Sequence, residues 1–324
     1  MNPTKITNIL VPVSAQQLIS KRIYSVFALA EYVQAKVYLT EVIEDLTPLT
    51  EIHHEASSHD LLVFAERKSF ARLENIKLGI LEEFPNLELE TAVLSGKPFI
   101  RLIEFAQAIN ASIIALDSLH DSIKSDLSFG STAKHLIRKS GVPIWAISHQ
   151  QPKTVSNIVT CVDVSNESEE ASELNQHILQ HSLQLARFYQ ARVTVLHAWR
   201  LYGEGYLRAR EWRSDLDIAL LARNERELRQ ERLNRLLKCV NPEEYSVDIT
   251  LLEGRPEAVI PEYVHVNSAD LVVMGSVCRA GIPGFFIGNT AEYMLDTLNC
   301  SVFTIKPDNF RTPVLNSEAT KNAN

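Results

Sequence analysis

Short apolar runs recur along this chain, and the segments between them carry apolar residues at helical spacing. Runs such as Asp270-Leu-Val-Val-Met274 lack the alternation of a half-exposed strand, which marks strands buried on both faces. After that run, Ala291, Met294, Leu295 and Leu298 fall on one side of a helix. Strands are predicted at residues 8–13, 36–43, 87–93, 112–117 and 143–147, and again at 156–163, 192–199, 245–252, 270–275 and 301–306. The stretch Arg223–Lys238 mixes charge signs around Leu228, Leu233, Leu236 and Leu237, the pattern of an amphipathic helix laid on a sheet. Strands alternating with helices imply parallel sheets wound by right-handed crossovers, with helices on both faces.

The two sets of strands are copies. Gly96-Lys-Pro98, Ser112–Asp117, Gly130–Ile137 and Val142–Ile147 are answered by Gly254-Arg-Pro256, Asp270–Gly275, Gly288–Leu295 and Cys300–Ile305, each 158 residues on. Upstream, Ala30–Val37 matches Ala186–Val193 at an offset of 156, and Ile9–Ser14 matches Ile158–Asp163 at 149. A duplicated domain accounts for this register. The polar, proline-containing stretch His149–Ser156 separates the copies, so residues 1–152 and 153–311 are read as two domains and 312–324 as a disordered tail.

Composition narrows the function. A net charge of −8 argues against a surface devoted to nucleic acid or anionic membrane, and no apolar run reaches the length of a membrane span. With no secretory leader pattern at the amino terminus, a cytoplasmic location is expected. Cys161, Cys239, Cys278 and Cys300 are widely spaced, as reduced thiols rather than a disulfide framework or zinc site. His53, His54, His59 and Asp60, or His177 with His181, are candidate metal clusters that lack a further ligand of fixed spacing; a polar loop and a solvated helix face are the simpler readings. Gly96-x-Pro98 and Gly254-x-Pro256 read as strand-to-helix entries.

The glycine-rich stretch Gly275–Thr290 lies between a strand's carboxyl end and a helix's amino end, where open α/β sheets bind anions. Neither G-x-x-x-x-G-K-[ST] nor G-x-G-x-x-G occurs in the chain. The motif that is present, with its repeat, resembles the universal stress protein family in its tandem form, over residues 5 to 310. The resemblance implies two five-stranded domains of the adenine nucleotide alpha hydrolase-like fold that pair through their last strands as a pseudo-dimer within the chain. It also implies an Asp closing the first strand for ribose, and G-x2-G-x9-G followed by Ser or Thr for phosphates. In the second half those positions are Asp163, Gly275, Cys278, Gly288 and Asn289-Thr290, with Arg279 beside them. In the first half they are Ser14, Asp117, His120, Gly130 and Ser131-Thr132.

Cys278 adds a side chain where a phosphate would approach the backbone, while Asp117 and His120 add bulk and Ser14 removes the ribose acceptor. The second domain is therefore the better candidate for ATP with Mg, and no cofactor is obligatory. Each residue also has an architectural reading: Gly130 and Gly288 as packing glycines, Ser131 and Asn289 as helix caps, Asp163 as a turn former. Residues 197–212, with Gly203 and Gly205, form a candidate lid or partner-binding loop. Three functions follow: a non-enzymatic stress-response protein binding a nucleotide or other small ligand, an interaction protein with vestigial sites or an apolar ligand, and a slow nucleotide hydrolase. No assembled nucleophile and base supports the last, so the first is taken forward. Two chains pairing as a homodimer is left open by the sequence.

Overall fold

The computed structural model describes residues 5–14, 19–44, 58–117, 129–148, 154–203, 205, 208, 214–240, 245–276 and 288–315. The first half runs β1 (Asn8–Val13), α1 (Tyr24–Val33), β2 (Lys36–Ile43), α2 (Ser58–Glu83), β3 (Leu89–Ser95), α3 (Pro98–Ala108), β4 (Ile113–Asp117), α4 (Ser131–Lys139) and β5 (Ile144–Ile147). The second repeats it as β6 (Asn157–Cys161), α5 (Glu169–Tyr189), β7 (Arg192–Trp199), α6 (Asp215–Val240), β8 (Val247–Glu253), α7 (Pro256–Val266), β9 (Leu271–Gly275), α8 (Asn289–Thr297) and β10 (Ser301–Ile305). All ten strands form one sheet of order β3-β2-β1-β4-β5-β10-β9-β6-β7-β8. Every pairing is parallel except β5 with β10.

Two cores follow from the period-two geometry of the strands, and they are divided by sheet face rather than by domain. Ile9, Ile113, Trp145, Ile158, Val193, Val273 and Phe303 point to one face, where Phe27 of α1, Leu73 of α2, Leu179 of α5 and Leu233 of α6 cover them. Leu10, Ile114, Ala146, Val159, Val272 and Val302 point to the other, under Leu102 of α3, Leu136 of α4, Ile260 of α7 and Met294 of α8. Each core therefore runs unbroken through both halves.

The Gly-x-Pro entries are built as the sequence suggests. Pro98 and Pro256 open α3 and α7, and Gly96 and Gly254 sit at φ +125° and +144°, angles that favour glycine. A Cβ on Gly254 would lie 2.4 Å from Cγ1 of Val259, whereas one on Gly96 would meet only the flexible Arg101 chain at 3.3 Å. Gly254→Ala is expected to lower stability by about 2 kcal/mol, and Gly96→Ala by less, read as the shift in urea midpoint at constant slope.

The halves meet about a pseudo-two-fold axis. In the antiparallel pair, Trp145 lies opposite Phe303, flanked by Ala146–Val302 and Ile144–Thr304. Trp145 and Phe303 are equivalent by the 158-residue repeat, so the axis passes through their contact, with ring centroids 6.2 Å apart. On the first face Tyr32 of α1 meets its counterpart Phe188 of α5 at 5.4 Å. On the second, Lys134 and Arg138 of α4 pair with Asp296 and Glu292 of α8. Beyond β10, Lys306 donates to the carbonyls of Ile137 and Ser140 at the end of α4, at 2.7 and 2.6 Å. Its counterpart Ser148 donates from Oγ to the Asn299 carbonyl beyond α8, at 2.9 Å.

Three expectations change. His181 is buried, its ring 5.3 Å from Phe303, and burial lowers its pKa to about 4; it does not lie on a solvated face. On α6, Leu233 and Leu236 are buried but Leu228 is exposed, because it lies off the stripe that meets the sheet. The tail is ordered at its start: residues 313–315 form a helical turn with Val314 buried, while residues 316–324 lie outside the described residues.

Candidate functional site

Within each half the strand order reverses at the first strand, so a crevice opens at the carboxyl ends of β1 and β4, and of β6 and β9. In the second half this crevice is flanked by Asp163, Gly275 with Ser276, and the amino end of α8. Asp163 follows β6 and is fixed to α5: its N–H donates to Asn175 Oδ1 at 3.1 Å, and Asn175 Nδ2 donates to its carbonyl at 2.8 Å. Its carboxylate is 46% exposed and accepts the N–H of Ser165 at 2.8 Å and the Ser165 hydroxyl. The turn reading of Asp163 is thus realised, with the side chain half-exposed.

Gly275 ends β9 beneath α5, where a Cβ would come within 3.3 Å of Leu174 and 3.4 Å of Ile178, so its smallness serves helix packing. Ser276 is buried and its N–H donates to the Ile305 carbonyl at 3.1 Å; its own carbonyl accepts the N–H of Gly288 at 3.2 Å. Gly288 is the N-cap of α8 and Gly130 that of α4, with no side-chain capping bond at either. Asn289 and Ser131 are first helical residues, not caps, and Thr290 and Thr132 follow them. The first-turn amides of such a helix lack intrahelical partners and attract anions. Cys278, Arg279 and His120 lie outside the described residues, as do His53, His54 and most of residues 204–213. Gly203 is described, at φ +76°, and the neighbouring Tyr202 is exposed.

Around the first strands the halves differ. In the first, Glu41 on β2 is buried, and Arg72 of α2 bridges its Oε2 at 2.6 Å and the carbonyl of Ser14 at 2.8 Å. An internal cation thus holds the carbonyl of the residue that stands where Asp163 stands, and Asp117 ends β4. In the second half His197 replaces Glu41 at the matching place on β7, with Nδ1 3.1 Å from the Val162 carbonyl and 3.8 Å from Asp163 Oδ1. Arg232, followed by buried Leu233 as Arg72 is by Leu73, finds no glutamate there. It bonds instead to the carbonyls of Val164 and Ser165, at 3.0 and 3.1 Å, and to Glu167. Neither Glu41 nor His197 was a sequence candidate; strand register against the repeat was the signal that could have found them.

The thiols of Cys161 and Cys300 are pushed up to about 12 by burial, which makes them poor nucleophiles. The basic stretch on α6 is largely paired: Arg223 with Glu227, Arg229 with Glu225, Arg232 and Arg235 with Glu167. A cleft of about 390 Å³ lies at the opposite end of the sheet, between Pro261, His265, Asp270 and Asn299, away from the crevice. No helix among the described residues is long and apolar enough to cross a membrane.

These features define a tandem pair of α/β domains, each with a crevice at its strand ends. The model of the universal stress protein family matches residues 5–148 and 154–306, and the chain belongs to that family. It is 29% identical over 226 residues to universal stress protein E of Salmonella typhi, covering 68% of this chain and 69% of that one. It is 27% identical over 238 residues to the protein of the same name from Photorhabdus laumondii, covering 72% and 73%. The structure is similar to that of a putative universal stress protein from Pseudomonas aeruginosa, with a TM-score of 0.70, 20% identity and 99% of each chain covered. One from Archaeoglobus fulgidus gives a TM-score of 0.60 at 16% identity, covering 92% of this chain and 98% of that one.

Proposed function

We propose that the chain is a cytoplasmic stress-response protein that binds an adenine nucleotide, with Mg, through its second domain and without turning it over. The contrast at the first strands carries this reading. At the first half's strand end Arg72 bonds to buried Glu41 and to the Ser14 carbonyl, whereas in the second half Arg232 bonds to the Val164 and Ser165 carbonyls and Glu167, and the carboxylate that stands in place of Ser14, Asp163, is 46% exposed. In this assignment Asp163 accepts the ribose hydroxyls, and the α8 amides at Asn289 and Thr290 receive phosphate oxygens. Gly275 and Gly288 flank the segment of the sequence that holds Cys278 and Arg279, which are assigned to the same site. Binding that shifts a conformational population is sufficient for a sensor and needs no catalytic base.

Calorimetric titration of Mg-ATP into the whole chain is expected to give one site per chain. Asp163→Ala should weaken it at least about tenfold, the value of a lost hydrogen bond to a charged acceptor, and Ser14→Ala should leave it unchanged. Equal affinities for the wild type and Asp163→Ala, or no binding at all, would overturn the assignment.

A further inference from the structure

The seam between the halves carries a charge pattern that its pseudo-symmetry does not require. Lys134 and Glu292 are equivalent by the 158-residue repeat, and so are Arg138 and Asp296. The two ion pairs, Lys134–Asp296 and Arg138–Glu292, are therefore one contact seen twice across the axis. Both cations lie on α4 and both anions on α8. In an isologous pairing each surface patch meets its own copy. Pairing a first domain with another first domain in this geometry would set Lys134 against Arg138, and pairing two second domains would set Glu292 against Asp296. Either gives two like-charge contacts in place of two ion pairs. The apolar strip beneath offers no such distinction, since Trp145 and Phe303 are both large aromatic residues that fit the axis.

We infer that these four charges make the seam heterotypic: each half accepts the unlike half and rejects a second copy of itself. The partner that this face fits is a surface with two carboxylates one helical turn apart, presented beside an antiparallel edge strand, as α8 and β10 present them. Selectivity of this kind rests on the repulsive alternatives as much as on the attractive pairs. A homodimer of whole chains would then have to use another face.

The test keeps the chain whole and reads hydrogen exchange at the β5 and β10 amides. Lys134→Glu with Arg138→Glu makes all four charges negative and should speed exchange there about tenfold, as two half-exposed attractions become repulsions. Exchange in β7, remote from the seam, should stay within about twofold, and half-molar salt should remove most of the difference by screening. Adding Glu292→Lys and Asp296→Lys restores opposite charges in inverted polarity and should return exchange to the wild-type rate. Unchanged β5 and β10 rates in the double variant, or a fourfold variant no better than the double, would overturn the proposal. Equal acceleration in β7 would also count against it, by showing general destabilisation.

Discussion

Trp145→Ala is expected to cost about 4 kcal/mol of stability, the largest effect of any single truncation in the sheet. Trp145 is fully buried at the centre of β5, in the core that runs through both halves. Its ring is tilted against Phe303, so the lost atoms would leave a cavity bounded by rigid strands on both sides of the axis. Neither half can move into the space without breaking the β5–β10 ladder, and collapse is what ordinarily reduces such costs. Trp145→Phe should be much milder. It keeps an aromatic ring opposite Phe303 and removes an indole N–H that makes no hydrogen bond among the described residues. Urea unfolding followed by far-ultraviolet circular dichroism would check both, and equal losses for the two variants would show that ring volume is not what matters at this position.

Lys306→Met should cost about 3 kcal/mol at pH 9 and close to nothing at pH 6.5. The lysine is buried, and its nitrogen serves two carbonyls at the end of α4 that methionine would leave unpaired. Burial pulls its ammonium down to about 7 from the ordinary 10.5. A neutral amine still has two N–H groups for the two carbonyls, whereas the Phe310 ring, 4.3 Å away, favours the charged form. Between about 7 and 10.5 the unfolded chain holds the proton that the folded chain has released, so this group's contribution to stability rises with pH. The slope is about 1.4 kcal/mol per pH unit inside that window and vanishes below it, where both states are protonated. The difference in unfolding free energy between wild type and Lys306→Met should therefore widen from pH 6.5 to 9. A difference that stays constant would mean that the ammonium remains charged and that the α4 carbonyls and Phe310 outweigh burial.

The strands were legible because each is a compact apolar run and because the repeat gives every one a second witness. β1, β2 and β7 match the expected spans, and the remaining strands start or end one or two residues away. The seam was legible from the apolar character of residues 142–147 and 301–305 together with the family resemblance. The polar contacts that complete it were not. Lys134 meets Asp296 and Lys306 meets Ile137 across more than 150 residues of chain, and no local period marks such pairs. At the site, Asp163 and Gly288 were placed by motif spacing, but spacing could not show Arg72 folded onto Glu41 and Ser14, because that contact depends on where α2 lies over the strands. His181 misled because its i, i+4 spacing from His177 resembles a surface pair, while the long α5 turns that side toward β10.

The antiparallel join also sets a timetable. β5 is synthesised 158 residues before the β10 strand that covers it. At roughly 5–20 residues per second, a first domain emerging from the ribosome presents an open apolar edge for roughly 8–30 s. On a messenger read by several ribosomes, the nearest surfaces of matching shape are the unfinished first domains of neighbouring chains. Lys134 and Arg138 are already in place on α4 during that interval, so charge guards the edge until its own second domain arrives.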